Sequence, residues 1–136
     1  MNQSINILEG IVNNDELDQY DHMAMPNYLK IINCGIMELS NHLFTKDLSK
    51  NSKRLVASRC NLEFKNELLL HNKWNLIMQF RNYDIKYLTL DFKIKANSQI
   101  KAKAKLILVA FDLLSRKSVQ LNSKEIFLIE KFFNLK

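Results

Sequence analysis

The sequence predicts an α+β domain in which an antiparallel sheet wraps around one long central helix. Three observations carry this. Between Leu29 and Leu43, apolar residues recur at spacings of three and four, the period of a helix with a buried face. From Val56 onward the period changes to two and stays there through four successive segments. Ahead of the helix, residues 5–12 are apolar and β-branched, as a strand would be. At 136 residues the chain can bury a full core, so residues 1–136 are expected to form one domain.

The first strand is expected over residues 5–12 (Ile-Asn-Ile-Leu-Glu-Gly-Ile-Val), with Gly10 marking a bulge or a close backbone approach. Asn13 and Asn14 end it and lead into an acidic loop that holds Asp15, Glu16, Asp18, Asp21 and His22. The helix is expected to start at Pro26 or Asn27, because the fixed φ of proline suits helix entry and its missing N–H has no intrahelical acceptor there. Leu29, Ile32, Ile36, Leu39 and Leu43 define its apolar face, and Ile31, Cys34 and Met37 widen it. Gly35 falls mid-helix at a cost of about 1 kcal/mol against alanine. Close packing on a strand would explain it, and so would space for a ligand chain.

After a polar loop over 47–53, Val56, Ser58, Cys60, Leu62 and Phe64 alternate with Ala57, Arg59, Asn61, Glu63 and Lys65. Residues 74–81, 88–95 and 101–110 alternate in the same way. Short polar links at 66–68, 82–85 and 96–99 would join the four strands into an antiparallel meander with one buried face and a lysine-rich outer face. Residues 115–118 turn the chain, and 125–135 read as a short helix.

Composition narrows the classes. The chain is 47% hydrophobic and 25% charged, which fits a globular rather than a disordered protein. A net charge of +6 suits a polyanion, such as the phosphates of coenzyme A, although the outer faces of the strands account for much of it. No block of five or six Lys/Arg occurs, so no nucleic-acid partner is expected. Cys34 and Cys60 form neither a disulfide framework nor a metal motif, and both are expected as small buried residues. The His, Cys and acidic residues lack metal-ligand spacing, so no metal is expected. With no signal-peptide pattern and no apolar run long enough to span a membrane, a cytoplasmic location is the expectation.

The order strand, acidic loop, long helix and four strands resembles the hot-dog fold. More narrowly, the loop resembles that of the 4-hydroxybenzoyl-CoA thioesterase family of acyl-CoA thioesterases. In that family an acid, one residue and an aspartate precede a loop, and an Asn-Tyr or similar pair opens the helix. Here the stretch reads Glu16-Leu17-Asp18-Gln19-Tyr20-Asp21-His22-Met23-Ala24-Met25-Pro26-Asn27-Tyr28, which agrees without a gap. Some variants of the fold carry Gly-His-Met-Asn in this loop. His22 and Met23 are kept, but Asp21 stands for the glycine and Ala24 for the asparagine. The glycine would let the loop approach a substrate closely, and Asp21 adds a negative charge there.

The resemblance implies hydrolysis of an acyl-CoA or acyl-carrier-protein thioester. Asp18 would act as general base or as nucleophile, and the residues leave both roles open. Backbone N–H groups at the helix start, around Met25, would hold the oxyanion. His22 would orient water, polarise the carbonyl or steady the loop. Asn27 and Tyr28 join Met25 as substrate-binding positions, although on the residues alone both read as structural. Glu16 and Asp21 read as solvated. Glu38 lies on the helix, where some hot-dog enzymes place their acid, while His42 and His71 show no partner pattern. No cofactor is expected beyond the coenzyme A carried by the substrate. A homodimer or homotetramer with shared sites is implied, and Lys53, Arg54 or Arg59 are candidates to meet the coenzyme's phosphates. The alternative is a non-catalytic hot-dog protein that binds acyl-CoA or another ligand. A hot-dog dehydratase or hydratase is disfavoured, because its Asp-x-Asn-Pro-x-His pattern is absent.

Overall fold

The structure, a computed structural model, describes residues 4–135. Strand β1 (Ser4–Ile11) is followed by helix α1 (Met25–Leu43) and strands β2 (Lys53–Phe64), β3 (Lys73–Tyr83), β4 (Tyr87–Ala96), β5 (Gln99–Asp112) and β6 (Lys117–Val119). Helix α2 (Ser123–Phe132) closes the order. All pairings are antiparallel, in the strand order β1-β3-β4-β5-β2, with β6 added against the last residues of β5.

This order corrects the expected four-strand meander. Strands β3, β4 and β5 do follow one another, but β2 lies at the far edge against β5 and does not touch β3. The cause is the connection between them. Residues 65–72 are too many for a tight hairpin turn, and they run past the start of α1, where Met23 N–H donates to the Leu68 carbonyl at 2.8 Å. The short strand β6 was also not expected. It forms because Asp112 accepts N–H bonds from Leu114 and Ser115 and so turns the chain back onto β5.

The sheet buries one face against α1. Tyr28, Ile31, Ile32, Ile36, Leu39 and Leu43 point inward from the helix. Opposite them, β4 alternates strictly, burying Leu88, Leu90, Phe92, Ile94 and Ala96. Fully burying a leucine contributes about 1.5–3 kcal/mol, so these rows dominate the fold's stability. The sheet covers only one side of α1. Leu29 (47% exposed) and Met37 (57% exposed), expected in the apolar face, therefore lie open, and Cys34 is exposed as well.

Cys60 also departs from expectation, being exposed on edge strand β2. A bulge between Ala57 and Arg59 shifts the register, so that Ala57 faces Leu108 while Cys60 faces Leu106. One extra residue reverses which side chains point inward. Val56 and Cys60 therefore do not share a face. The inward row is Leu55, Ala57, Cys60, Leu62 and Phe64, and α1 leaves much of it uncovered.

Both glycines mark close approach. A Cβ on Gly10 would lie 2.3 Å from the Trp74 ring. One on Gly35 would lie 2.5 Å from Leu76 Cδ2 and 3.2 Å from Phe92. Leu76 and Phe92 are themselves buried, so there is no room for a ligand chain beneath α1 at this point. Gly35→Ala gains about 1 kcal/mol of helix propensity but overpacks the core at about 1–3 kcal/mol. A net loss of about 1 kcal/mol is expected, read as a lower urea midpoint at unchanged slope; a midpoint at or above wild type would mean Leu76 yields freely.

Candidate active site

The acidic loop is a stitched structure. A 3-10 turn (Asn14–Glu16) opens it, and the Glu16 side chain accepts the Asn13 N–H at 2.7 Å. Leu17 and Met23 then bridge as an isolated antiparallel pair, enclosing a turn in which Asp21 N–H donates to the Asp18 carbonyl at 3.1 Å. A second bridge joins His22 to Leu69 and ties this loop to residues 65–72. Glu16, expected as solvated, is a structural hub. Its carbonyl accepts both Ala24 N–H and the Asn27 side-chain amide, each at 2.9 Å.

The turn gives Asp21 a φ of 62°, in the left-handed region. Glycine adopts this conformation without steric cost, and Asp is among the few other residues that tolerate it. A glycine at this position would serve the backbone geometry as much as any close approach. Ala24 is the N-cap of α1, which begins at Met25, so Pro26 is the second helical residue. Alanine has no oxygen to cap with, and Pro26 has no N–H to donate. Asn27 N–H is taken by the Ala24 carbonyl at 3.0 Å. Met25 N–H has no protein acceptor among the described residues and remains a free donor at the positive end of the helix.

Asp18, His22, Met25 and Tyr28 line one cleft of about 520 Å³. Asp18 is held through both oxygens: Oδ1 accepts Tyr20 N–H at 2.8 Å, and Oδ2 lies 3.3 Å from His22 Nε2. His22 Nδ1 lies 3.2 Å from Glu67 Oε1. Tyr28 is buried, and that burial, more than the nearby Glu67 and Asp18, pushes its hydroxyl pKa up, so it stays a neutral phenol. Its ring meets Phe64 edge-on at 5.0 Å, giving the cleft an apolar floor. Asn27 does not line the cleft; its amide is spent on Glu16.

The other candidates lie elsewhere. Glu38 does not reach the cleft, the His42 ring packs on Phe132 at 4.9 Å, and His71 occupies a left-handed turn. Lys53 is engaged by Glu125 at 3.0 Å, and Arg54 by the carbonyls of Asn51 and Lys46. Both sit at the opposite end of β2 from the cleft, roughly 35 Å away along an extended strand. Arg59 stands mid-strand opposite Ile107. Lys65 lines the cleft but had not been singled out from sequence, and the same holds for Tyr20 and Glu67. Glu67 lies 45 positions from His22, so no local pattern announces the pair. Among the described residues, no group of three His, Cys, Asp or Glu could hold a metal ion.

The left-handed Asp21 gives a direct test. Asp21→Gly should unfold at a urea concentration no lower than wild type, whereas β-branched Asp21→Val should lose about 1–2 kcal/mol. Equal stability of the two variants would contradict the turn described here.

No protein-family model matches the sequence, and no curated protein matches it either. Solved structures do match the fold. A Staphylococcus aureus protein in complex with CoA superposes with a TM-score of 0.85 at 15% identity, over 98% of this chain and 85% of that one. A predicted thioesterase from Bacillus stearothermophilus gives 0.80 at 19% identity, over 96% of each chain. A thioesterase from Thermus thermophilus complexed with coenzyme A and Zn gives 0.78 at 15% identity, over 95% of this chain and 96% of that one. With its six-stranded antiparallel sheet around α1, this chain has the hot-dog fold that these thioesterases share.

Proposed function

We propose that the protein is an acyl-CoA thioesterase, cleaving the thioester of an acyl-CoA or acyl-carrier protein to free acid and thiol. The observation that carries this is the juxtaposition of an oriented carboxylate, Asp18, with the free Met25 N–H at the start of α1, in one apolar-floored cleft. A thioester needs an attacking oxygen and a donor for the charge that develops on its carbonyl oxygen. With Asp18 as base, a water gives up a proton to the carboxylate as its oxygen bonds to the carbonyl carbon. The resulting oxyanion is held by Met25 N–H. The C–S bond then breaks, and the thiolate takes the proton back from Asp18. With Asp18 as nucleophile, the carboxylate displaces the thiolate to form an anhydride, which water hydrolyses. The thioesterases of the same fold, two of the solved structures containing CoA, support coenzyme A as the carrier of the substrate.

The cleft of one chain is half-walled, which supports a homodimer or homotetramer. Edge strand β2 pairs on one side only, and Phe64 beside the cleft is 48% exposed. On α1, Met25, Leu29 and Met37 are exposed apolar residues along one helical row, with Asn33 between the last two. A second copy would cover these surfaces and complete the pocket. No helix among the described residues is long and apolar enough to cross a membrane. Two exposed free thiols fit a reducing, cytoplasmic setting.

Thiol release measured across acyl-CoAs of several chain lengths tests the reading. Asp18→Asn should lower kcat by about 10²–10⁴-fold, and wild-type turnover in that variant would sink the assignment. Single turnover in H₂¹⁸O has one discriminating outcome: label in Asp18 marks the nucleophile route, since the base route places water oxygen only in the product acid. Light scattering should give a mass of at least two chains.

A further inference from the structure

We propose that Glu67 is a positioning residue for His22, fixing which ring nitrogen faces Asp18. This rests on the thioesterase reading of the cleft. His22 sits between two carboxylates, with Nδ1 3.2 Å from Glu67 Oε1 and Nε2 3.3 Å from Asp18 Oδ2. An ionised carboxylate only accepts, so the hydrogen bond to Glu67 requires a proton on Nδ1, whereas the approach of Nε2 to Asp18 Oδ2 is a charge contact only. Nε2 is then the ring atom presented to Asp18 and the cleft, as a donor when the ring is doubly protonated and as an acceptor when it is neutral.

Tyr20 N–H occupies Asp18 Oδ1, which leaves Oδ2 for the imidazole. The backbone delivers Glu67 to its place: the His22–Leu69 bridge and the Met23 N–H to Leu68 carbonyl bond set residues 65–72 in register beside the loop. Tyr20 meets the ring only edge-on, at 6.0 Å between centroids, which does not choose between the nitrogens. With Glu67 truncated, nothing holds the proton on Nδ1, and Nε2 can carry it toward Asp18 Oδ2.

Stability is not what the contact supplies. The Glu67 side chain is 59% exposed and that of His22 34%, and an ion pair so open to water adds little to folding. Loss of Glu67 should therefore be seen in turnover and in the state of the ring, with the fold unchanged.

The test uses the full-length protein and two variants, Glu67→Ala and Glu67→Gln. Thiol release gives kcat and KM, and ¹⁵N spectra of the His22 ring, recorded at alkaline pH, report which nitrogen carries the proton. Glu67→Ala should lower kcat by about tenfold to a hundredfold with KM within about twofold, since misplacement of a catalytic group is felt in the chemical step. Its unfolding midpoint should match wild type. Glu67→Gln keeps an oxygen that accepts Nδ1–H and should recover roughly half of the wild-type rate or more. Wild type and Glu67→Gln should carry the proton on Nδ1, and Glu67→Ala should move it to Nε2. Wild-type kcat and an unchanged tautomer in Glu67→Ala would overturn the proposal, as would a Glu67→Gln variant as slow as Glu67→Ala. If wild type releases thiol from no acyl-CoA, the catalytic reading falls. The ring spectra need no substrate and still decide whether Glu67 sets the tautomer.

Discussion

The start of α1 is held in place by backbone hydrogen bonds to two other parts of the chain, and most of what is notable here follows from that. Ala24 N–H reaches back to Glu16, and Met23 N–H reaches across to Leu68. These bonds lie at the buried edge of the loop, where a missing partner would cost the full desolvation penalty. They place the helix terminus, the acidic turn and the 65–72 segment side by side. The cleft is the space they leave between them. Its side chains are few and partly exposed, but the frame beneath them is built from main-chain contacts that do not depend on side-chain rotamers.

The N-terminus of α1 has no side-chain cap. Its cap residue is alanine and its first N–H is unpaired, while Pro26 in the first turn suits helix entry. A serine or asparagine cap would add about 1 kcal/mol. Here the loss at the cap is offset by Asn27, which ties the first turn to the Glu16 carbonyl, and by the anchoring of Met23. The terminus is thus fixed in position while its positive end stays open to a ligand.

The parts of this arrangement differ in how far the sequence displays them. The helix and the strands were legible because each has its own period, and β4 keeps its alternation without a break. The acidic turn was legible as a motif, since Asp18, His22 and Met25 fall within eight positions of one another. Strand order was not, because pairing of β2 with β5 is decided by the path of residues 65–72, whose Leu68-Leu69-Leu70 run does not say which element it will pack against. The Ser58 bulge was hidden for a related reason. Val56, Ser58 and Cys60 continue a period-two pattern through it, and only pairing with β5 reveals the slip. The exposure of Cys34 and Met37 follows from having a single sheet to cover a helix whose apolar residues run around more than one side. Glu67 was invisible for the same topological reason as the strand order: its neighbour is assigned by the crossover and not by the chain.

The contact of Gly35 with Leu76 and Phe92 has a consequence for how such a protein can change over time. Because helix and sheet meet with no gap there, a ligand bound at the rim cannot pass between Gly35 and the sheet. The cleft is rimmed instead by residues such as Tyr20, Met25 and Phe64, which are exposed. Mutation can explore the rim while the core stays as it is. The cleft's rim and the fold's stability are separable inheritances in this chain, and a lineage could remodel the one without passing through an unfolded intermediate.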